Sequence, residues 1–215
     1  IAGAIEHSCN YFFYEVGYRL SRNNGVYDSD TGLEKLAYYA DQFGLSDKSG
    51  VEISESAPKV SDFDAIRSAI GQGTNNYSTV GLARYVTTVA NSGNCYNLSL
   101  LSKATDADGN LIADFTPTLR NTVDLKQSTW DAIHQGMRKV VEDKDYYKDL
   151  TIQVAGKTGT AQELNDRPDH ALFTGYTNVD APDITVTIVI PFGGGSSRAI
   201  DTFVRLAEAY YAIVS

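Results

Sequence analysis

Two short motifs near opposite ends of this 215-residue chain carry side chains that could do chemistry. The tripeptide Ser-Cys-Asn at 8–10 precedes an aromatic segment, and the tetrapeptide Lys-Thr-Gly-Thr at 157–160 stands at the close of an apolar run. A charge on an apolar strand is unfavourable unless it is paired or functional, so Lys157 is a candidate active-site residue. Ser8 and Asn10 also have a purely structural interpretation, because both residue types commonly cap helices. Taken together, the two motifs predict an active site that joins the two ends of the chain.

Four motifs, taken in order, resemble the transpeptidase domains of class B penicillin-binding proteins. They are the Ser-Cys-Asn tripeptide, Gly-Gln-Gly at 71–73, Ala-Gly-Lys-Thr-Gly-Thr-Ala-Gln at 155–162 and His-Ala-Leu-Phe-Thr-Gly-Tyr at 170–176. Each is weak alone, but their order and spacing extend the resemblance over nearly the whole chain. In that family a serine attacks the carbonyl of a D-Ala-D-Ala stem peptide and D-Ala leaves. An amine of a second stem peptide then resolves the acyl-enzyme, which cross-links peptidoglycan; β-lactams imitate the dipeptide.

The resemblance implies catalytic roles for three residues. Ser8 is similar to the family's proton relay, whose hydroxyl passes a proton to the leaving nitrogen. Asn10 is similar to the residue that positions the catalytic lysine and an amide of the substrate. Lys157 is similar to the lysine that lends positive potential to Ser8 and to the substrate carboxylate. Cys9, between Ser8 and Asn10, is interpreted as a small packed residue and not as a nucleophile.

The resemblance also implies a substrate-binding strand. The hydroxyls of Thr158 and Thr160 would bind the substrate carboxylate, and Gly159 would let the substrate backbone lie close to the strand. The backbone N–H of Thr160 would form half of the oxyanion hole.

The family's nucleophile is a serine followed three residues later by a lysine, and only Ser56-Ala57-Pro58-Lys59 has this spacing. A proline in the required first helical turn restricts Ala57 to extended conformations, and the flanking residues indicate a loop, so Ser56 is a poor candidate. We therefore expect the chain to begin downstream of the nucleophile, as the C-terminal portion of a larger catalytic domain. The segment alone is then expected to be inactive.

The function implied by the resemblance is that of a peptidoglycan D,D-transpeptidase, an enzyme of cell-wall synthesis and cell shape that needs no cofactor. Its expected partners are peptidoglycan stem peptides and β-lactam antibiotics. Its expected location is the extracytoplasmic face of the bacterial membrane, with any membrane anchor in an absent N-terminal part. Two alternatives stay open: a serine β-lactamase, for which no water-activating base is evident, and a β-lactam sensor or catalytically silent module that binds stem peptides or penicillin. The residues before Ile1 would discriminate among them.

Composition and residue spacing argue against several other kinds of partner and site. A formal net charge of −9 and a pI near 4.7 argue against nucleic acid, since phosphate binding needs clustered basic residues. No stretch approaches the roughly 20 apolar residues of a membrane span. His7, His134 and His170 have no metal-ligand spacing with cysteines or acidic residues, so no metal is implied. Cys9 and Cys95 are expected to be free thiols, because one sparse pair is no disulfide framework.

Apolar periodicity predicts a helical block followed by strands. The predicted helices cover 11–20, 62–70 and 199–213, a segment from a capping box at Thr31 and Glu34 to Gly44, a segment from Ser78 or Thr79 to 91, and a segment that Ser128 caps and that ends at 141. The predicted strands cover 152–155, 171–176 and 184–190, and Asp108-Gly109 predicts a hairpin. The Gly-Gln-Gly at 71–73 is interpreted as a structural turn, because the Lys-Ser/Thr of a phosphate loop is missing. This order predicts an α+β fold, β-lactamase/transpeptidase-like, with an antiparallel sheet and a covering C-terminal helix.

We interpret 1–215 as a single, partial transpeptidase domain, mainly helical over 1–150, with a strand meander and terminal helix over 151–215. In the family, strands from before the nucleophile join this meander, and the nucleophile's helix packs between sheet and helices. Without them a sheet edge and an apolar groove would be exposed, and both invite pairing with another chain. The chain alone is therefore expected to be marginally stable or to associate with itself or with the missing piece.

Overall fold

The computed structural model describes residues 1–142, 145–147, 152–162 and 167–214. The helices in these ranges are α1 (Ala2–Glu6), α2 (Asn10–Leu20), α3 (Ser29–Gln42), α4 (Ala65–Ser68), α5 (Thr79–Ala90), α6 (Gln127–Val141) and α7 (Ser197–Val214), with a short 3-10 helix at Asp145–Tyr147. The strands are β1 (Arg22–Asn23), β2 (Val26–Tyr27), β3 (Asn94–Asn97), β4 (Lys103–Thr105), β5 (Leu111–Asp114), β6 (Thr118–Thr122), β7 (Val154–Ala161), β8 (His170–Thr177) and β9 (Thr185–Ile190).

The central layer is the antiparallel sheet β7-β8-β9, which confirms the predicted meander and the α+β class. One face of the sheet shares a core with α5 and α6, formed by Val86, Val89, Ala90, Met137, Ala155 and Tyr176. The opposite face shares a second core with α7 and the last turn of α6, formed by Val141, Val154, Phe173, Ala199, Phe203 and Ala207. The predicted covering helix is therefore confirmed, and the sheet lies between two helical layers.

A glycine brings the first helix close to the sheet. A Cβ at Gly136 of α6 would lie 2.9 Å from Ile5 Cβ and 3.0 Å from the Ala2 carbonyl oxygen, so α1 and α6 pack at a distance that only glycine allows. Helix α6 is in turn fixed to β7, because Arg138 Nη1 donates to the Val154 carbonyl at 3.1 Å. The start of the chain is thereby positioned against the strand that carries Lys157.

Two predicted helix caps are wrong. Helix α3 begins at Ser29, and its cap is Asp28, whose carboxylate accepts from Asp30 N and from the Thr31 hydroxyl. Thr31 is therefore not the cap; its hydroxyl donates to the carboxylate of the residue that is. Aspartate caps a helix as well as threonine does, and Asp28 stands three residues earlier. Helix α6 begins at Gln127, and no side chain caps it, so Ser128 lies inside its first turn.

Other boundaries follow the sequence more closely. Helix α5 begins at Thr79, one of the two predicted starts, and Ser78 caps it, with its hydroxyl accepting from Gly81 N at 3.1 Å. The hairpin at Asp108-Gly109 is confirmed by the pairing of β4 with β5. The helix predicted over 62–70 is only the single turn α4, with Asp64 as its cap.

Among the described residues, no helix is both long and apolar enough to cross a membrane. Cys95 is buried and Cys9 half-buried, and both are free thiols, as expected.

The strand with the Lys-Thr-Gly motif is longer than predicted. The expected range 152–155 ends where the apolar run ends, whereas β7 extends to Ala161 and contains the whole motif. The strand continues past the apolar run because its backbone stays paired: every residue of β7 has a partner on β8, including Lys157 with Thr174 and Gly159 with Leu172. Among the described strands β7 pairs only with β8, so the motif lies on an edge strand.

Candidate active site

Ser8 lies in a turn that joins α1 to α2 and that fixes its backbone in the left-handed region, at φ 48°. The Ser8 N–H donates to the Ile5 carbonyl at 3.2 Å and the Cys9 N–H to the Ala4 carbonyl at 2.9 Å. This pair of bonds is the Schellman arrangement, in which the left-handed position is usually a glycine. A serine there is strained by roughly 1–2 kcal/mol, and such strain is concentrated at functional sites.

The structure brings Lys157 to Ser8, although 149 positions separate them in the chain. Lys157 Nζ donates a hydrogen bond to Ser8 Oγ and a second one, at 3.0 Å, to the Thr158 carbonyl oxygen. The two motifs that sequence analysis singled out are therefore one cluster, built from the α1–α2 turn and the middle of β7.

The ammonium of Lys157 is half-buried, and burial lowers its pKa below that of an exposed lysine. In the part of the chain that the structure describes, no carboxylate forms an ion pair with it. A partly desolvated positive charge beside a serine hydroxyl has the electrostatic character of a functional site and suits an anionic ligand.

Neither Ser8 nor Asn10 caps the following helix. The cap position of α2 is Cys9, which makes no capping hydrogen bond through its side chain. Asn10 is the first residue of α2 and is exposed next to the Ser8 turn. The capping interpretation of the tripeptide is therefore not what the structure shows, and the hydroxyl of Ser8 is directed to Lys157 instead.

Strand alternation places the rest of the motif on both faces of β7. Lys157 pairs with Thr174 on the face that packs against α5 and α6, and Thr158 pairs with Phe173 on the face that packs against α7. Thr160, exposed near the end of the strand, alternates with Thr158 and shares its face. A ligand along the free edge of β7 is the arrangement in which Lys157 and both threonines contribute.

Gly159 lies on the face of Lys157 and leaves space there. A Cβ at this position would contact only Leu172, with its nearest atom 3.3 Å away. Beyond it, on the same face, an apolar cavity of about 640 Å³ lies between the sheet and helices α3 and α5, lined in part by Ala161, Leu172 and Val189. This cavity matches the apolar groove expected from the sequence; self-association through it stays a prediction.

The Ser56–Lys59 segment has no helical geometry. Ser56 is exposed in a loop, and Lys59 is held elsewhere by a backbone bridge to Asn76 and by an ion pair with Asp62 at 3.2 Å. The lysine is therefore engaged away from Ser56, in agreement with the expectation from Pro58.

The histidines make structural contacts. His134 Nδ1 lies 2.5 Å from the hydroxyl of buried Tyr176, and its Nε2 lies 3.1 Å from Ser92 Oγ. His170 Nδ1 accepts from Phe192 N at 3.0 Å. Within the described ranges, no group of three histidine, cysteine or acidic residues is arranged to hold a metal.

Comparison with known proteins identifies one family that this chain resembles over nearly its whole length. A family model described as the penicillin binding protein transpeptidase domain matches residues 1–205. The chain is 27% identical to penicillin-binding protein 2A of Bacillus subtilis, over 89% of this chain and 30% of that protein. It is also 27% identical to the peptidoglycan D,D-transpeptidase MrdA of Haemophilus influenzae, over 97% of this chain and 35% of that protein. The chain thus spans about a third of the length of these relatives.

Solved structures have the same fold. Penicillin-binding protein A of M. tuberculosis, in an imipenem acyl-enzyme complex, aligns with a TM-score of 0.82 and 21% identity, over 98% of this chain and 47% of that one. Penicillin-binding protein 2B of Streptococcus pneumoniae aligns with a TM-score of 0.80 and 23% identity, over 95% of this chain and 37% of that one. The β-lactamase/transpeptidase-like fold predicted from the sequence is therefore confirmed.

The left-handed backbone of Ser8 leads to a stability prediction. Both Ser8→Gly and Ser8→Ala remove the hydroxyl, but only glycine relieves the left-handed strain, so Ser8→Gly is expected to be the more stable variant by about 1 kcal/mol. Urea unfolding of the two variants measures this difference, in which the lost hydrogen bond to Lys157 cancels. An alanine variant as stable as the glycine variant would contradict the left-handed assignment.

The lowered pKa of Lys157 predicts how stability changes with pH. Between the folded pKa and the unfolded value of about 10.4, the unfolded chain binds more protons than the folded one. The free energy of unfolding should therefore rise with pH in this window, relative to Lys157→Met, which has no amine to titrate. Urea unfolding at several pH values gives both slopes. Lys103→Met, at an exposed lysine, is the control and should keep the slope of the unsubstituted chain; equal slopes for all three proteins would contradict the prediction.

Proposed function

This chain belongs to the family of penicillin-binding protein transpeptidase domains, and we propose that it forms part of a peptidoglycan D,D-transpeptidase that cross-links stem peptides through a serine acyl-enzyme. The observation that carries the proposal is the contact between Lys157 and Ser8. The relatives named peptidoglycan D,D-transpeptidase and penicillin-binding protein support the same activity.

The direction of the Lys157–Ser8 hydrogen bond suits proton transfer. Because Nζ donates to Ser8 Oγ, the hydroxyl proton of Ser8 remains available for donation to another group. When the nucleophilic serine attacks the carbonyl of the penultimate D-Ala, the bond to the terminal D-Ala breaks and its nitrogen needs a proton to leave as an amine. Ser8 donates that proton and receives another from the lysine that follows the nucleophile, which takes up the proton of the attacking serine. The nearby ammonium of Lys157 stabilises the negative charge that develops on Oγ during this transfer.

The substrate's carboxylate fits the electrostatics of the strand. The terminal D-Ala ends in a carboxylate, and the ammonium of Lys157 is partly buried without an ion-pair partner among the described residues. A dipeptide along the free edge of β7 would bring this carboxylate near Lys157 and the hydroxyls of Thr158 and Thr160. Gly159 supports close approach of the substrate backbone, because the space at its Cα is limited only by Leu172.

Two further roles belong to this proposal. The N–H of Thr160, near the exposed end of β7, would donate to the oxyanion. Asn10, which is exposed beside the Ser8 turn, would hold a substrate amide and the lysine that follows the nucleophile. That nucleophile would come from a part of the protein other than these residues, since the sequence has no Ser-x-x-Lys apart from the one at 56–59.

The cellular setting follows from the substrate. Peptidoglycan stem peptides and β-lactams are the proposed ligands, and the proposed location is the extracytoplasmic face of the bacterial membrane, where cell-wall cross-linking takes place. A membrane anchor would belong to a part of the protein outside these 215 residues.

The 215-residue chain alone is expected not to form a covalent adduct with fluorescent penicillin. Ser56 is exposed in a loop, and the lysine three residues later is engaged by Asn76 and Asp62. Gel fluorescence and peptide mass mapping measure this directly. A label on Ser56 would overturn both the structural argument and the proposal of an external nucleophile.

In a longer protein that contains the nucleophile, Lys157→Ala should slow acylation by fluorescent penicillin by about 10²–10³-fold, because the ammonium acts on charge that develops in the transition state. Its melting temperature should be nearly unchanged. Lys59→Ala is the matched control and should acylate normally.

The same assay separates the alternative functions. A stable adduct supports a transpeptidase or a sensor, and cross-linking of stem peptides distinguishes the first from the second. Rapid hydrolysis of the adduct would indicate a β-lactamase. Normal acylation of Lys157→Ala would contradict the role proposed for this residue.

A further inference from the structure

His134 of α6 joins three elements through one imidazole ring. Nδ1 lies 2.5 Å from the hydroxyl of Tyr176 on β8, and Nε2 lies 3.1 Å from Oγ of Ser92, in the turn after α5. The ring also meets that of Tyr176 edge to face, with 5.8 Å between centroids. A titratable group therefore lies at the junction of α5, α6 and the sheet.

The burial of Tyr176 fixes the direction of both hydrogen bonds. Tyr176 is fully buried, and among the described residues its hydroxyl is hydrogen-bonded only to His134. A buried O–H group needs an acceptor, so the hydroxyl donates to Nδ1. The proton of the neutral imidazole is then on Nε2, which donates to Ser92 Oγ. This arrangement satisfies every donor and exists only while the ring is neutral.

Protonation of His134 would break the arrangement. An imidazolium has N–H groups at both nitrogens, so Nδ1 would face the Tyr176 hydroxyl as a second donor. Burial raises the pKa of Tyr176, so the hydroxyl keeps its proton and cannot become a pure acceptor. Either that proton stays buried without an acceptor, or the ring moves away from β8.

The charges around the ring do not compensate for burial. Among the described residues, the charged groups that line the pocket beside His134 are Asp131, on the same helix, and Asp180, in the turn between β8 and β9. Both carboxylates favour the imidazolium. Burial opposes it more strongly, and the pKa of His134 is lowered from its ordinary value.

His134 is one of two residues that fix α6 to the sheet from the same helix face. It contacts Tyr176 of β8, and Arg138, four residues later, donates to the Val154 carbonyl of β7. Gly136, where α1 packs closely on α6, lies between them in the sequence. Loss of the first contact would leave α6 fixed at one point only, on the turn against which α1 and the Ser8 turn are placed.

We propose that His134 is a positioning residue for the transpeptidase site: its neutral imidazole fixes α6 to the sheet and so holds the Ser8 turn against Lys157, and its protonation releases this contact. The inference rests on the proposed function, because it concerns the proton relay of that reaction. On the extracytoplasmic face, which is the proposed location, the cytoplasm does not buffer the surroundings. Acylation by this protein would therefore fall reversibly in acid.

The Ser92–His134 pair is not a second nucleophile with its base. A general base must accept the proton of the serine hydroxyl. Here Nε2 carries a proton and donates to Ser92 Oγ, while the lone pair of Nδ1 is occupied by the Tyr176 hydroxyl. The geometry is that of a neutral histidine that links elements.

The first measurement is an NMR titration of the 215-residue chain, in which His7, His134 and His170 are the only histidines. His134→Asn identifies the His134 signals by their loss. The neutral ring should carry its proton on Nε2, and its pKa should lie below the ordinary value of about 6.5. A proton on Nδ1, or a pKa at or above the ordinary value, would overturn the inference.

The second measurement is the rate of acylation by fluorescent penicillin in the longer protein, from about pH 7.5 to about pH 5, across the ordinary pKa of histidine. His134→Asn offers Tyr176 an amide oxygen, an acceptor that does not titrate. The rate of the unsubstituted protein divided by that of this variant should fall about tenfold over this range, because a buried donor loses its acceptor. The division cancels the titration of other groups. Tyr176→Phe, which removes the hydroxyl, should flatten the profile in the same way if the asparagine variant folds poorly.

Ser92→Ala is the matched control, because it removes the other partner of the same ring. Nε2 carries a proton in both charge states, so this variant should keep the pH profile of the unsubstituted protein. Parallel profiles for the unsubstituted protein, His134→Asn and Tyr176→Phe would overturn the inference. A protein that is not acylated at any pH would instead reject the proposed function, and the positioning role with it.

Discussion

The close approach of α1 to α6 at Gly136 is the constraint on which the site depends. Any side chain at this position would meet Ile5 and the Ala2 carbonyl, and α1 would be displaced outward from α6. Because α6 is hydrogen-bonded to β7 through Arg138, that displacement would separate the Ser8 turn from the strand that carries Lys157. The contact between Lys157 and Ser8, which are 149 positions apart in the sequence, thus depends on the absence of a Cβ at Gly136 of α6.

Two locally unfavourable arrangements meet at this site. Ser8 occupies a left-handed backbone position that favours glycine, and Lys157 holds its ammonium in a partly desolvated place without a carboxylate partner among the described residues. Each arrangement is unfavourable alone, and the surrounding packing of α6 and the sheet must stabilise both. Natural proteins accept such losses where function requires them. The hydrogen bond between the two residues offsets part of both losses, because it gives the ammonium an acceptor and orients the hydroxyl.

The sequence predicts the layers of this fold better than the positions of its turns. Gly44 predicts the end of a helix because glycine is common in the left-handed position, and it adopts φ 74° after α3. Ser8 adopts the same conformation after α1, but no residue type marked it, so the turn that builds the site could not be read from composition. Asn24-Gly25 is a strong turn signal, but the strands of its hairpin have only two residues each and are too short to show an alternating pattern in the sequence. The motifs at 8–10 and 157–160 were found from residue type, whereas their contact needed the three-dimensional structure.

Helix α2 connects the Ser8 turn to a row of exposed tyrosines, and its rotation about its own axis is fixed. A Cβ at Gly17 would lie 2.9 Å from both the Ala65 carbonyl oxygen and Ile66 Cα, so α2 packs on α4 through its bare backbone and has one tolerated orientation. That orientation continues directly from the Ser8 turn at one end and directs Tyr11, Tyr14 and Tyr18 away from the core. A helix rotated by one residue would bury a tyrosine against α4 and change the direction in which the turn leaves it. The same packing contact therefore determines where the Ser8 hydroxyl and the exposed aromatic rings lie.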